Sequence, residues 1–216
     1  QWVSLKEVAI DIPAGPSEVE VITDASANPD FIAADFLSQA EHGRDSQAIM
    51  VTADSSIVEP VVNAIGKQLE VLPRKEITEQ ALSHSRIIVL KDKQEIIDFT
   101  NLYAPEHLII QTADYAEIAR EIRNAGSVFM GAYTPESAGD YASGTNHTLP
   151  TNGYAHAYSG VNLDSFIKKM TFQEISADGI CHLGETICVM AENERLEAHR
   201  NAVIVRLETL KQDETI

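Results

Sequence analysis

The alternation of short β-branched runs with amphipathic stretches between residues 19 and 130 limits the folds open to this chain more than any other feature. Residues 19–23, 48–52, 86–90, 107–112 and 127–130 read as strands, and helical patterns at 28–43, 57–69, 93–102 and 115–124 separate them. A further short strand is expected at 8–12, ahead of a loop punctuated by Pro13, Gly15 and Pro16. Strands that alternate with helices in this way form a parallel sheet covered on both faces. The expected fold is therefore α/β: a Rossmann-like three-layer parallel sheet with helices on both faces, plus a C-terminal helical tail. Residues 1–161 are read as the Rossmann-like domain and 162–216 as the tail. In such a sheet ligands bind at one edge, built from strand and loop ends. No G-x-G-x-x-G pattern follows any strand, so a self-contained dinucleotide site is not supported.

Charge narrows the partners. The balance of 33 acidic against 16 basic residues gives a net charge of -17, which argues against nucleic acid, whose binding draws on clustered Lys and Arg. It fits a cationic ligand or a metal. The longest apolar runs fall well short of the ~18 residues that suggest a membrane span, and residues 1–12 lack the pattern of a secretory signal. The expected setting is the cytoplasm. Cys181 and Cys188 fall on one apparent helix, where seven residues of rise separate them by about 10.5 Å, beyond the ~7 Å limit for a disulfide. Both are expected to be reduced core residues.

The stretch Asn101-Leu102-Tyr103-Ala104-Pro105-Glu106-His107-Leu108 carries two proton-transfer groups side by side behind a proline. Adjacent residues of a strand point to opposite faces. Glu106 and His107 can therefore serve one substrate only at a strand end or in a loop. Upstream, Asn28-Pro29-Asp30 reads as an N-cap, a proline at the first helical position and an acid in the first turn. The helix it opens is expected to run to Gly43, and Gln39 and His42 share a face at its end. Ser17 lies on a loop at a strand mouth. From Gly131 to Gly160 the chain turns polar and rich in Gly, Ser, Thr and Asn, and it carries Glu136, Asp140, His147 and His156; a long polar loop of this kind is usually functional. Residues 162–170 are expected to be helical, 171–175 extended, and 177–210 to form two helices, the last with Leu196, Val203 and Leu207 near heptad spacing on a face that needs burial. Glu194 and His199 lie close together there. Imidazole, carboxylate and amide oxygen suit zinc, and ligands drawn from separate elements fit a catalytic metal site.

Five segments occur in order: Ala14-Gly15-Pro16-Ser17-Glu18, Gln39-Ala40-Glu41-His42, Tyr103-Ala104-Pro105-Glu106-His107-Leu108, the run from Gly139 to Thr151 (GDYASGTNHTLPT), and Glu194-Arg195-Leu196-Glu197-Ala198-His199. Together they resemble the histidinol dehydrogenases, zinc- and NAD-dependent enzymes of the last steps of histidine biosynthesis. The resemblance covers essentially all 216 residues and about the C-terminal half of the family's usual chain. It implies that Gln39, His42, Asp140 and His199 bind zinc. It also implies that Ser17, His107, His147 and Glu194 hold L-histidinol together with the metal ligands. His107 is implied as general base on the alcohol and Glu106 as the group that activates water on the aldehyde, with two hydrides passing to NAD. It further implies a homodimer in which Glu194 and His199 complete the partner's site. In the family the NAD residues lie mainly upstream of the matching half, so the chain by itself is expected to be inactive. Two other readings share these residues: a sister dehydrogenase of another small polyol such as a sulfonated diol, and a non-catalytic zinc-binding or assembly module.

Overall fold

The computed structural model describes Ile12 and residues 15–213, so the strand expected at 8–12 falls outside the described residues except for Ile12. The chain divides into two compact units, Gln1–Ile167 and Lys168–Ile216. In the first, β1 (Glu18–Thr23), α1 (Pro29–Ala40), β2 (Gln47–Thr52), α2 (Val58–Leu69), α3 (Lys75–His84), β3 (Arg86–Val89), α4 (Lys93–Tyr103), β4 (His107–Gln111), α5 (Tyr115–Glu121) and β5 (Ser127–Met130) follow one another. The strands form a five-stranded parallel sheet in the order β3-β2-β1-β4-β5.

Burial follows the strand period of two. Val19, Val21, Ala48, Met50, Ile109 and Phe129 pack on one face with Ile32 and Phe36 of α1 and Val61 of α2. Ile22, Ile49, Val51, Leu108 and Ile110 pack on the other with Ile96 and Ile97 of α4 and Ile118 of α5. Each such side chain stabilises the fold by about 1.5–3 kcal/mol relative to exposure. The three-layer α/β expectation holds.

Local signals explain most element ends. The Asn28 side chain accepts from the Asp30 amide, with Pro29 inside the first turn, as the N-cap pattern predicts. α1 nevertheless stops at Ala40, short of the expected Gly43. Gln39 is in the helix, and His42 sits in the turn after it, its amide donating to the Gln39 carbonyl at 3.2 Å. α3 was not foreseen, because KEITEQALSH is polar overall and no capping side chain marks its start; its buried Thr78 and Ala81 carry the packing.

The polar stretch after β5 is not all loop. It contains α6 (Glu136–Tyr141) and a single 3-10 turn at Tyr154–His156. His156 is structural: its Nε2 donates to the Leu102 carbonyl at 3.1 Å, leaving Nδ1 to accept from Asn124 Nδ2 at 2.8 Å. The helix expected at 162–170 is reduced to a 3-10 turn, Leu163–Phe166, with an Asn162 capping box. Leu163, Phe166 and Met170 are exposed, so the helical spacing found no core to drive a full helix.

The second unit is a helical hairpin of α7 (Ala177–Asn193) and α8 (Glu197–Asp213). The helices meet closely at Gly184, where a Cβ would lie 2.8 Å from Leu207 Cδ1 and 3.3 Å from Val203 Cγ1. Val203 and Leu207 thus use the face expected of them, whereas Leu196 precedes α8 and is 40% exposed. Both cysteines lie on α7 and are free, but Cys181 is exposed and Cys188 only half-buried; the core assignment fails because the hairpin covers one side of α7. Among the described residues no helix is long and apolar enough to cross a membrane.

Candidate metal and proton-transfer site

The candidate residues of the first unit gather at the edge of the sheet where β1 and β4 begin. α4 ends at Ala104, which takes a left-handed backbone (φ 53°) while fully buried and donates its amide to the Thr100 carbonyl. Left-handed geometry is unfavourable for a residue with a Cβ; here it turns the chain sharply into Pro105 and so delivers Glu106 immediately before β4. Gly126 keeps the neighbouring chain close: a Cβ there would lie 2.5 Å from the Glu106 carbonyl oxygen. The amides of Gly126 and Ser127 donate to the carbonyls of Pro105 and Glu106, both at 2.9 Å.

This strand-end position lets adjacent residues meet. Glu106 Oε2 accepts the Glu18 amide at 2.9 Å and lies 3.5 Å from His107 Nδ1. His107 Nδ1 is also 3.1 Å from the Glu18 carbonyl, which can only accept, so Nδ1 carries a proton. Nε2 is buried with no protein partner. The ring rests 6.0 Å from Phe129, centroid to centroid. Burial opposes charge on His107, but the Glu106 hydrogen bond and the charges of Glu136 and Glu106 outweigh it and raise its pKa to about 9.

α6 supplies the opposite wall. Its Gly139 allows close packing, since a Cβ there would lie 2.6 Å from the Phe129 ring. Glu136 and Asp140, four residues apart, then share a helix face. Glu136 is 1% exposed; its Oε1 lies 3.9 Å from His42 Nε2 and 4.0 Å from His107 Nδ1. Burial raises its pKa to about 7. Gln39, with no exposure at all, donates its amide nitrogen to both Glu136 oxygens, at 2.8 and 2.9 Å, once the amide is oriented by its partners.

The ligand atoms of His42, Glu136 and Asp140 all lie within 4.8 Å of one another. A divalent cation fits this set. Imidazole and carboxylate are zinc ligands, and an amide carbonyl adds a hard oxygen. The surroundings are rich in carboxyl groups: Glu18, Asp35, Glu106 and Glu136 are all buried. Burial raises Glu18, and lifts Asp35 to about 7 against the hydrogen bond from Gln111. The C-terminal end of α1, with no basic residue in its last turn, adds the negative end of the helix dipole.

Ser17 immediately precedes β1, His147 follows α6, and the remaining predicted residues are in the other unit. Ser17 is half-buried, and its carbonyl accepts from the Gln47 amide. His147 stands exposed on the segment after α6. Glu194 caps α7 and His199 lies in the first turn of α8, both exposed and both in the second unit. Glu136 was noted in the polar stretch but not as a site residue. The legible signal was its i, i+4 spacing from Asp140 behind Pro135, a helix start hidden in a Gly-rich context.

Comparison with known proteins agrees with this architecture. Residues 1–207 match the family model for histidinol dehydrogenase. A histidinol dehydrogenase of Bacteroides fragilis is 62% identical over 212 residues, 98% of this chain and 50% of that protein. The chain belongs to the histidinol dehydrogenase family. A Shewanella oneidensis histidinol dehydrogenase is 57% identical over 204 residues, 94% of this chain and 47% of its own length. The crystal structure of histidinol dehydrogenase from Elizabethkingia anophelis superposes with a TM-score of 0.92 at 58% identity, covering 94% of this chain and 47% of that one. The chain thus spans about half the length of the family members it matches.

Proposed function

We propose that the chain supplies the zinc-binding and proton-transfer residues of an L-histidinol dehydrogenase working in the cytoplasm as a homodimer. The observation that carries the reading is the convergence of His42, Glu136 and Asp140 ligand atoms within 4.8 Å, with Gln39 and His107 in contact with the same carboxylate. Gln39, His42 and Asp140 hold the zinc, with His199 as the further ligand, contributed by the partner subunit's copy of this tail. A zinc held there would supply electrostatic anchoring for the nitrogen atoms of the amino alcohol and would not need to change oxidation state. Ser17 and His147, with Glu194 from the partner subunit's copy of the tail, complete the substrate pocket. Glu194 is suited to an imidazole N–H and would repel a sulfonate.

His107 takes the hydroxyl proton at Nε2 as a hydride leaves the carbinol carbon for NAD, which yields the aldehyde. Its Nδ1–H bond to the Glu18 carbonyl fixes the ring for that transfer. The hydrogen bond with Glu106 and the charges of Glu136 and Glu106 favour the protonated ring that this transfer produces. Glu106 takes one proton from the water that adds to the aldehyde; oxidation of the resulting hydrate anion passes a second hydride to a second NAD and leaves the acid, which releases its proton to solvent as the carboxylate. The nicotinamide-binding residues are assigned outside the 216 residues, so the chain alone forms no NADH.

The test is to express the chain alone and together with a polypeptide matching the remaining half of its relatives. Zinc content and histidinol-dependent NADH formation are then measured side by side. The reading expects zinc in both samples and NADH only in the second. Robust NADH from the chain alone would overturn the assignment of the nicotinamide site, and no NADH from the pair would overturn the substrate.

A further inference from the structure

Glu136 is not among the assigned zinc ligands, yet it is 1% exposed and faces Gln39, His42 and His107. The relevant contact is with Gln39. An amide has a donor end and an acceptor end, and only the oxygen can serve a cation. The Gln39 amide group faces both Glu136 oxygens at 2.8 and 2.9 Å, and assigning its ends by those partners puts the nitrogen toward Glu136 as donor to both. The reverse placement would set the amide oxygen against two carboxylate oxygens in a buried pocket, which is strongly unfavourable. Glu136 therefore decides which end of Gln39 is left for a ligand.

We infer that Glu136 is a positioning residue that holds the Gln39 amide nitrogen-first, so that its carbonyl oxygen is the atom presented to the zinc. This rests on the zinc reading above. The carboxylate is already engaged by the amide through both oxygens, and its nearest approach to the His42 ring is 3.9 Å, so it acts through Gln39. Support of this kind for a metal ligand typically changes metal affinity by about 10–100-fold.

The experiment is a zinc titration of the chain against a chromophoric chelator, with the visible absorption of the cobalt(II) form as a report on coordination. Glu136→Met keeps the side-chain length and removes the acceptor, and is expected to weaken zinc binding by about 10–100-fold and to alter the cobalt spectrum. Glu136→Gln keeps a carbonyl acceptor for the Gln39 amide and is expected to bind zinc close to wild type. In the Gln39→Ala background, Glu136→Met is expected to have no further effect, since the residue it orients is gone. Circular dichroism establishes that each variant folds; if Glu136→Met does not, Glu136→Gln still decides. Wild-type affinity in Glu136→Met, full additivity with Gln39→Ala, or a loss in Glu136→Gln as large as in Asp140→Asn would each overturn the inference while leaving the zinc reading standing. A wild-type chain that binds no zinc would overturn both.

Discussion

Glu106 Oε2 accepts the backbone N–H of Glu18 at 2.9 Å, so the side chain assigned to water activation is tied to the first residue of the neighbouring strand. The same carboxylate lies 3.5 Å from His107 Nδ1, and one rigid strand junction thus fixes both proton-transfer groups. In the complete enzyme, Glu106→Gln is expected to slow oxidation of the aldehyde by about 10²–10⁴-fold while sparing the alcohol step. His107→Gln should show the opposite preference. Pre-steady-state assays with histidinol and histidinal as separate substrates check this. Equal losses on both substrates would contradict the division of labour.

Gly139→Ala is expected to disturb the metal site without touching a ligand. The new Cβ would meet the buried Phe129 ring at 2.6 Å, so α6 must shift and carry Glu136 and Asp140 with it. Overpacking of this kind typically costs about 1–3 kcal/mol. Zinc titration together with a thermal melt should show both properties falling. Unchanged zinc affinity would mean that α6 does not depend on that contact.

Glu20 makes stability depend on pH. It is fully buried on β1 and accepts a 2.5 Å hydrogen bond from Thr100 Oγ1, while Oε2 has no protein partner. Burial raises its pKa from 4.5 to about 8. The folded chain therefore keeps a proton that the unfolded chain has lost. This contribution to stability is complete below pH 4.5, declines as pH rises, and is gone once pH passes about 8. The slope is at most about 1.4 kcal/mol per pH unit for one proton. Urea unfolding of Glu20→Gln across this range should show a shallower decline, because Asp35 and Glu136, also raised by burial, keep their share; a wild-type profile in the variant would exclude Glu20 as a source.

Ala104 tests the turn that delivers the catalytic pair. With φ at 53° and no exposure, Ala104→Gly should be tolerated, because glycine accepts this backbone freely. Ala104→Val should destabilise by about 2 kcal/mol or more, through both the backbone and the closed packing. Chemical denaturation of the two variants provides the comparison. Similar stabilities would mean that the left-handed turn is not required.

The sheet and its two covered faces were legible because Val, Ile and Leu recur at strand and helix periods over most of residues 19–130. The placement of Glu106 and His107 at a strand end also followed, from the simple requirement that adjacent residues reach one ligand. Three features were not legible. α3 is polar overall and has no capping side chain to mark its start. α6 hides between Pro135 and a Gly- and Ser-rich run, and its glycine serves packing on Phe129 rather than a turn. Residues 162–170 carry helical spacing, but Leu163, Phe166 and Met170 are exposed, so the period alone points to a helix that packing does not support. The contact between Glu136 and Gln39 joins α6 to α1 across more than ninety residues of sequence; no local pattern could reveal it.

The central claim is tested most directly by the zinc stoichiometry of the purified, metal-stripped chain and of its His42→Ala and Asp140→Asn variants. The account predicts about one tightly bound zinc per chain, lost on either substitution with the fold retained. A chain that takes up no zinc, or variants that bind it as well as wild type, would contradict it.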